Sequence, residues 1–243
     1  FGKKLLQTSN RPVNIICVKT GSKYSNKHVE RLYKMVERNC TLPFIFYCLT
    51  DDIYNLPKDV VGIGVDKSLD LESYWWKVCL FDLNFDETLL YIDLDVIIQQ
   101  NIDYIFLDDN QNFKCILLED AGIPYPFDGR DENSILVIPQ VKINSSLMLF
   151  KPATCKYLFD EFIKNIDYNI IHYYGLDRFI SEKATDLNYF DFTKDYYYRA
   201  KGQEYCDPEL ITKEKLIYDP NRTFCIMNQC LPEYYIGLEK YFI

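Results

Sequence analysis

The run Leu89-Leu90-Tyr91-Ile92-Asp93-Leu94-Asp95-Val96-Ile97-Ile98 constrains this chain more than any other stretch. Both ends are apolar, and the second is rich in β-branched residues, which is the pattern of a buried strand. Two aspartates interrupt it. An ionised carboxylate is costly in apolar surroundings unless a cation partners it or it binds a metal. Asp93 and Asp95 stand at i and i+2, so a continuing strand would present both on one face of its sheet. At a strand end the same pair offers oxygens to one hard cation, Mn²⁺ or Mg²⁺, of the kind that bridges carboxylates to substrate phosphates. The competing reading is a strand that runs into a loop, with two solvated or helix-capping aspartates.

Charge and cysteine usage narrow the function classes. Acidic residues outnumber basic ones, 36 to 27, for a net charge of −9. That argues against nucleic-acid binding, which rests on Lys and Arg neutralising phosphates. An acidic protein that binds an anionic nucleotide needs local positive charge, and a divalent cation supplies it. The nine cysteines form no CxxC pair, and His28 and His172 are the only histidines. No zinc site is expected. The cysteines sit mostly in apolar runs, which points to reduced thiols and a cytoplasmic setting. No apolar run approaches the length of a transmembrane segment, and no signal-like segment is visible.

The chain reads as α/β. Val13 to Val18 is a buried strand, Thr20 to Tyr24 a loop, and Ser25 a candidate helix cap. Val29, Leu32, Tyr33 and Val36 make one apolar helix face, with Glu30 and Lys34 as an i,i+4 pair. Phe44 to Leu49 is a second strand, so the chain opens strand–helix–strand, and such sheets bind ligands beyond the C-terminal ends of their strands. Val60 to Val65 reads as a strand, Tyr74 to Leu83 as a short helix carrying Lys77, and Ile102 to Phe106 as a helical turn. Strands follow at Phe113 to Leu118, Ile135 to Pro139 and Lys142 to Phe150. The spacing predicts a helix over Thr154 to Ile166 capped by Thr154, another from Gly175 to Glu182, and a last strand from Thr223 to Met227. Residues 120–134 read as a long loop and 186–222 as irregular. With no repeat or linker, one domain over 1–243 is expected.

Four segments, in this order, resemble nucleotide-sugar glycosyltransferases of the GT-A fold, most of all the glycogenin-like group and its bacterial, phage and viral relatives. They are Val18-Lys19-Thr20-Gly21-Ser22-Lys23-Tyr24, Trp75-Trp76-Lys77, Tyr91-Ile92-Asp93-Leu94-Asp95 and Ile143-Asn144-Ser145-Ser146. The resemblance covers residues 13–182 well and the rest poorly. It implies a single Rossmann-like domain with a mixed, mostly parallel sheet flanked by helices. Its nucleotide-binding part would span about 1–98 and its acceptor part about 99–243. It also implies a nucleotide-sugar donor, UDP-sugar favoured, a glycan or glycoprotein acceptor, and retention of stereochemistry. By this likeness Val18, Thr20 and Tyr24 hold the nucleoside, Lys77 reaches the donor, and Asp93 and Asp95 hold Mn²⁺ and the diphosphate. Asn144 faces the sugar. The family's Gly-Asp-Gln is here Gly175-Leu176-Asp177-Arg178, so by the resemblance Asp177 either takes the carboxylate role one position later or occupies the Gln slot. Its late His ligand falls at Asn228, an acceptable oxygen donor to a hard cation, and the Lys that accompanies that His is absent.

Each assignment has a structural alternative. Lys77 could snorkel from an aromatic cluster, Tyr24 staple the next helix, and Asn144 satisfy backbone. Asp177 could cap its helix or pair with Arg178, and Asn228 form a turn. Asp93-Leu94-Asp95-Val96 also resembles the nucleophile strand of haloacid-dehalogenase phosphatases, although that strand normally opens its domain. A catalytically degenerate nucleotide- or glycan-binding protein is the third reading.

Overall fold

The computed structural model describes residues 11–107, 113–118, 139, 141–199, 216–227 and 235–241. The strands are β1 (Val13–Lys19), β2 (Phe44–Thr50), β3 (Val61–Gly64), β4 (Leu89–Ile92), β5 (Val96–Ile98), β6 (Lys114–Leu117), β7 (Ile143–Phe150), β8 (Asn188–Tyr189), β9 (Tyr196–Tyr198) and β10 (Phe224–Ile226). The α-helices are α1 (Asn26–Asn39), α2 (Tyr104–Leu107), α3 (Pro152–Ile163), α4 (Ile166–Tyr173) and α5 (Leu176–Lys183).

Among the described residues the main sheet has the order β3-β2-β1-β4-β7-β6-β8, with β7 the one strand that runs against its neighbours. This is the mixed, mostly parallel α/β sheet expected from the sequence. A smaller sheet, β5-β10-β9, adjoins it. Strand alternation gives the main sheet two apolar faces. Ile15, Cys17, Leu90 and Ile92 pack with the α1 stripe of Val29, Leu32, Met35 and Val36. Ile16, Leu89 and Tyr91 pack on the other side with Trp75, Trp76, Phe162, Phe179 and Ile180.

Four expectations are corrected. The acidic run is not one strand: β4 ends at Ile92 and β5 begins at Val96 in the other sheet. Between them the Val96 N–H donates to the Asp93 carbonyl at 3.1 Å, closing a turn. The short helix expected at Tyr74 to Leu83 is found at Ser73–Asp82, wound as a 3-10 helix. Trp75, Trp76, Val78, Leu80 and Phe81 are all buried there, so no single apolar stripe favours the 3.6-residue period. The predicted helix from Thr154 begins instead at Pro152, whose fixed φ suits the first turn, and the Thr154 hydroxyl donates back to the Lys151 carbonyl at 3.0 Å. That helix stops at Ile163, and Asn165 caps α4 by accepting from the Tyr168 N–H at 3.2 Å. Finally, residues 186–222 hold β8 and β9, whose pairing partners lie far away in sequence. The predicted loop at 120–134 and nearly all of the strand at 135–139 lie outside the described residues.

Candidate active site

The break after β4 places both carboxylates at the C-terminal edge of the sheet. The Asp93 N–H still bonds the Ser146 carbonyl at 2.9 Å, extending the β4–β7 pairing by one step. Its side chain is set by the strand period. Tyr91 and Asp93 share a face, and the Tyr91 hydroxyl donates to Asp93 Oδ1. From the 3-10 helix above that face, Lys77 Nζ reaches Asp93 Oδ2 at 2.8 Å and lies 5.3 Å from the centre of the Tyr91 ring. Asp95 is held from elsewhere: the Tyr24 hydroxyl, just before α1, donates to its Oδ2 at 3.0 Å. The two aspartates thus draw partners from different covering layers, which a continuous strand would not allow.

β7 supplies the floor. Against β6 its register jumps: Cys115 faces Met148 while Ile116 faces Asn144. The bulge takes Ser145 and Ser146 out of that ladder, and their N–H groups need other acceptors. Asp177 Oδ1, in the first turn of α5, accepts from the Ser145 N–H at 3.0 Å. Asn144 Oδ1 accepts from the Ser146 N–H at 2.7 Å. The backbone-satisfying alternative for Asn144 is therefore seen directly. Asp177 takes a backbone donor of the neighbouring strand rather than capping its own helix.

Val18 and Thr20 flank the end of β1, both half-buried. Gly21 has φ 64°, a left-handed conformation that suits glycine, and its N–H donates to Asp51 Oδ2 at 2.8 Å. Tyr24 meets His28 edge-on at 5.3 Å, so the staple-like packing and the contact with Asp95 coexist. Asn228 lies outside the described residues.

The electrostatics tie these groups together. Asp95 is only 4% exposed. Burial, and then the Asp93 charge, push its carboxyl up to about 6, against the pull of Lys77, Lys23 and the Tyr24 hydrogen bond. Burial also raises Asp177, opposed by Lys77 and the bonds from Ser145. Burial pulls Lys77 down, but Asp93, Asp177 and Asp95 together hold it above its ordinary value. One ammonium therefore serves three carboxylates, two of them proton-hungry, and the site is short of positive charge.

Among the described residues no three His, Cys, Asp or Glu side chains cluster as a metal cage. Asp93 and Asp95 nevertheless fit a hard divalent cation. Their donors are all oxygen, their charges crowd each other, and such ions commonly use one or two carboxylates and complete their shell with water and phosphate. Sequence reasoning missed Tyr91, Lys23 and the two serine N–H groups. The Tyr91–Asp93 spacing was a readable signal; the bulge had none.

No family model and no curated protein matches the sequence. Solved structures do match. The galactosyltransferase LgtC in complex with donor and acceptor sugar analogues aligns with TM-score 0.56 and 12% identity, over 90% of this chain and 88% of that one. An active-site mutant of LgtC aligns with TM-score 0.59 and 11% identity over the same shares. The glycosyltransferase GlyE of Streptococcus pneumoniae TIGR4 gives TM-score 0.61 and 12% identity, over 95% of this chain and 61% of that one. The chain has the GT-A glycosyltransferase fold. Its acidic strand is the fourth along the chain and lies mid-sheet, unlike the domain-opening strand of the phosphatase reading. No helix among the described residues is long and apolar enough to cross a membrane.

Proposed function

We propose that this chain is a metal-dependent glycosyltransferase that moves a sugar from a nucleoside-diphosphate donor, UDP-sugar favoured, to a glycan or glycoprotein acceptor. The convergence of Lys77, Asp93, Asp95 and Asp177 at the C-terminal edge of a GT-A sheet carries this reading. Transfer breaks the bond from the anomeric carbon to the diphosphate, so negative charge grows on the leaving group and positive charge on the sugar ring. Asp93 and Asp95 would hold Mn²⁺ or Mg²⁺, with Asn228 as the further oxygen ligand. When bound, the ion supplies Lewis-acid stabilisation of the leaving diphosphate.

The chain's own groups do the rest. Lys77 gives a second positive charge and can exchange its Asp93 partner for a phosphate oxygen. Val18, Thr20 and Tyr24 border the nucleoside. Asn144, braced by Ser146, orients sugar hydroxyls. Asp177, braced by Ser145, faces the developing oxocarbenium charge. An inverting reaction needs a base for the acceptor hydroxyl, whereas a retaining one proceeds without it, and the glycogenin-like resemblance favours retention.

The test is UDP release from a panel of UDP-sugars with and without Mn²⁺. Wild type should turn over one of them, and Asp95→Ala should lose at least about 100-fold, the scale for removing a group that stabilises transition-state charge. Metal-independent turnover, or turnover untouched by Asp95→Ala, contradicts the reading. Nucleotide binding without turnover would instead favour the degenerate binding protein.

A further inference from the structure

The proposed mechanism uses the C-terminal edge of the parallel strands and leaves the opposite edge unassigned. A cavity of about 460 Å³ lies at that opposite edge, between the last turn of α1 and the start of β2. Phe44, in its wall, opens β2, whereas Thr50 closes that strand beside Lys19. The length of β2 therefore separates the cavity from the candidate active site. Its walls are aromatic. The Tyr33 ring meets Phe46 at 90° with 5.8 Å between ring centres, and Phe44 at 53° with 6.0 Å. Leu42 adds an aliphatic wall.

The rim is acidic. Glu37, near the end of α1, and Asp59, just before β3, are both exposed and both border the cavity. Among the described residues no Lys or Arg pairs with either. Lys34 is turned to Glu30 at 3.0 Å, and Arg38 donates to the Tyr241 carbonyl. The C-terminal end of α1 adds the negative end of its helix dipole. Burial, then Glu37 and Asp59, raises the Tyr33 phenol, so both carboxylates act on a ring of the wall. An apolar, ring-lined space thus opens under negative charge that has no partner in the protein.

We propose that this cavity binds the quaternary ammonium group of a small organic cation. A primary ammonium brings N–H donors that aromatic and aliphatic walls cannot satisfy, and burying them unpaired is costly. A methylated ammonium carries the same charge without donors. Its methyl groups suit apolar walls, and its charge is attracted both by the electron-rich ring faces and by the two carboxylates. The cavity also has room for the chain that carries the ammonium, since sites for small ligands span about 300–1,000 Å³. A ligand that also bears a phosphate would set that phosphate against Glu37 and Asp59. The chemistry therefore fits choline itself better than phosphocholine.

The experiment is titration calorimetry of the full chain with choline, with phosphocholine, and with the uncharged isostere of choline in which carbon replaces nitrogen. Choline should bind saturably, and the isostere at least about ten-fold more weakly, the scale of a lost cation–π and charge contribution. Phosphocholine should bind more weakly than choline. Glu37→Gln combined with Asp59→Asn changes only exposed side chains, so the fold should persist. That double variant should weaken choline about five- to ten-fold and leave the isostere unchanged. Tyr33→Leu, which keeps apolar bulk but removes the ring, should weaken choline by at least about ten-fold, whereas Tyr33→Phe should stay within about two-fold. No saturable choline binding overturns the site. So does an isostere or a phosphocholine that binds as tightly as choline, or a double variant that binds choline like wild type. No UDP-sugar enters these titrations, so the cation site and the glycosyltransferase reading stand or fall separately.

Discussion

The two sides of the main sheet are built differently. On one side α1 lays a regular stripe of Val29, Leu32, Met35 and Val36 over Ile15 and Cys17. On the other lie a 3-10 helix, the regular α3 and the short α4 and α5, with a tyrosine in the left-handed conformation after α4, while within the sheet β7 carries a bulge. Lys77 and Asp177 come from the second side, Asn144 from the bulged strand of the sheet, and the α1 side contributes Tyr24 from the loop before its helix. The contrast has a physical basis. A regular element satisfies its interior backbone and leaves partners to be found only at its ends. Where regularity breaks, N–H groups and side chains are freed and must be met by specific polar residues, which fixes those residues in place.

Four substitutions would break or sharpen this contrast. The largest effect is expected on the regular side as pure stability: Leu32→Ala should cost about 2–5 kcal/mol by chemical denaturation, with the sugar-transfer kcat of the remaining folded protein unchanged. Equal damage to kcat would erase the distinction between the sides. Next, Asp177→Asn keeps an oxygen for the Ser145 N–H but removes the charge. Sugar transfer should fall about 100-fold, with stability within ~1 kcal/mol of wild type. A fully active variant would return Asp177 to a purely structural role.

Third, the turn between the layers carries a charge penalty in the metal-free protein. The folded-state value for Asp95 of about 6 lies above its ordinary carboxylate value. Between those values the folded chain holds a proton that the unfolded chain has released. Asp95 therefore favours the folded state at low pH, and this contribution is lost as pH rises through about 6. With chelator present at pH 7.5, Asp95→Asn should raise stability by about 1–3 kcal/mol, and the gain should vanish near pH 4. A destabilised variant at pH 7.5 would show that Tyr24 and the lysines already compensate the charge. The smallest effect is Glu30→Ala, which removes the exposed 3.0 Å pair with Lys34 and should change Tm by less than ~1 °C, as exposed pairs contribute little.

Much of the regular side was legible in the residues. The α1 stripe, the strands before and after it and the Glu30–Lys34 pair follow from periods of 2 and 3.6, and the structure agrees except that Met35 is buried and the expected Tyr33 is half-buried. The irregular side was legible in composition and not in geometry. Lys77 was singled out beside two tryptophans on a short helix, but the 3-10 winding of that helix left no periodic signal, because its buried apolar residues follow no single stripe. Thr154 looked like a cap, but Pro152 starts the helix two residues earlier. β8 and β9 escaped notice because two- and three-residue strands exist only through partners distant in sequence.

By itself the sequence determined that two costly carboxylates interrupt an apolar, strand-forming run, and that a helix with one apolar face packs beside it. Both follow from interactions within a few residues, where side-chain order along the chain is side-chain order in space. The tertiary structure alone decided which partner each carboxylate received. Lys77 meets Asp93 across 16 residues, Asp177 meets Ser145 across 32, and Tyr24 meets Asp95 across 71. Those meetings depend on the strand order and on the bulge in β7. Only the folded sheet brings such distant groups to one edge, where burial makes their charges act on one another.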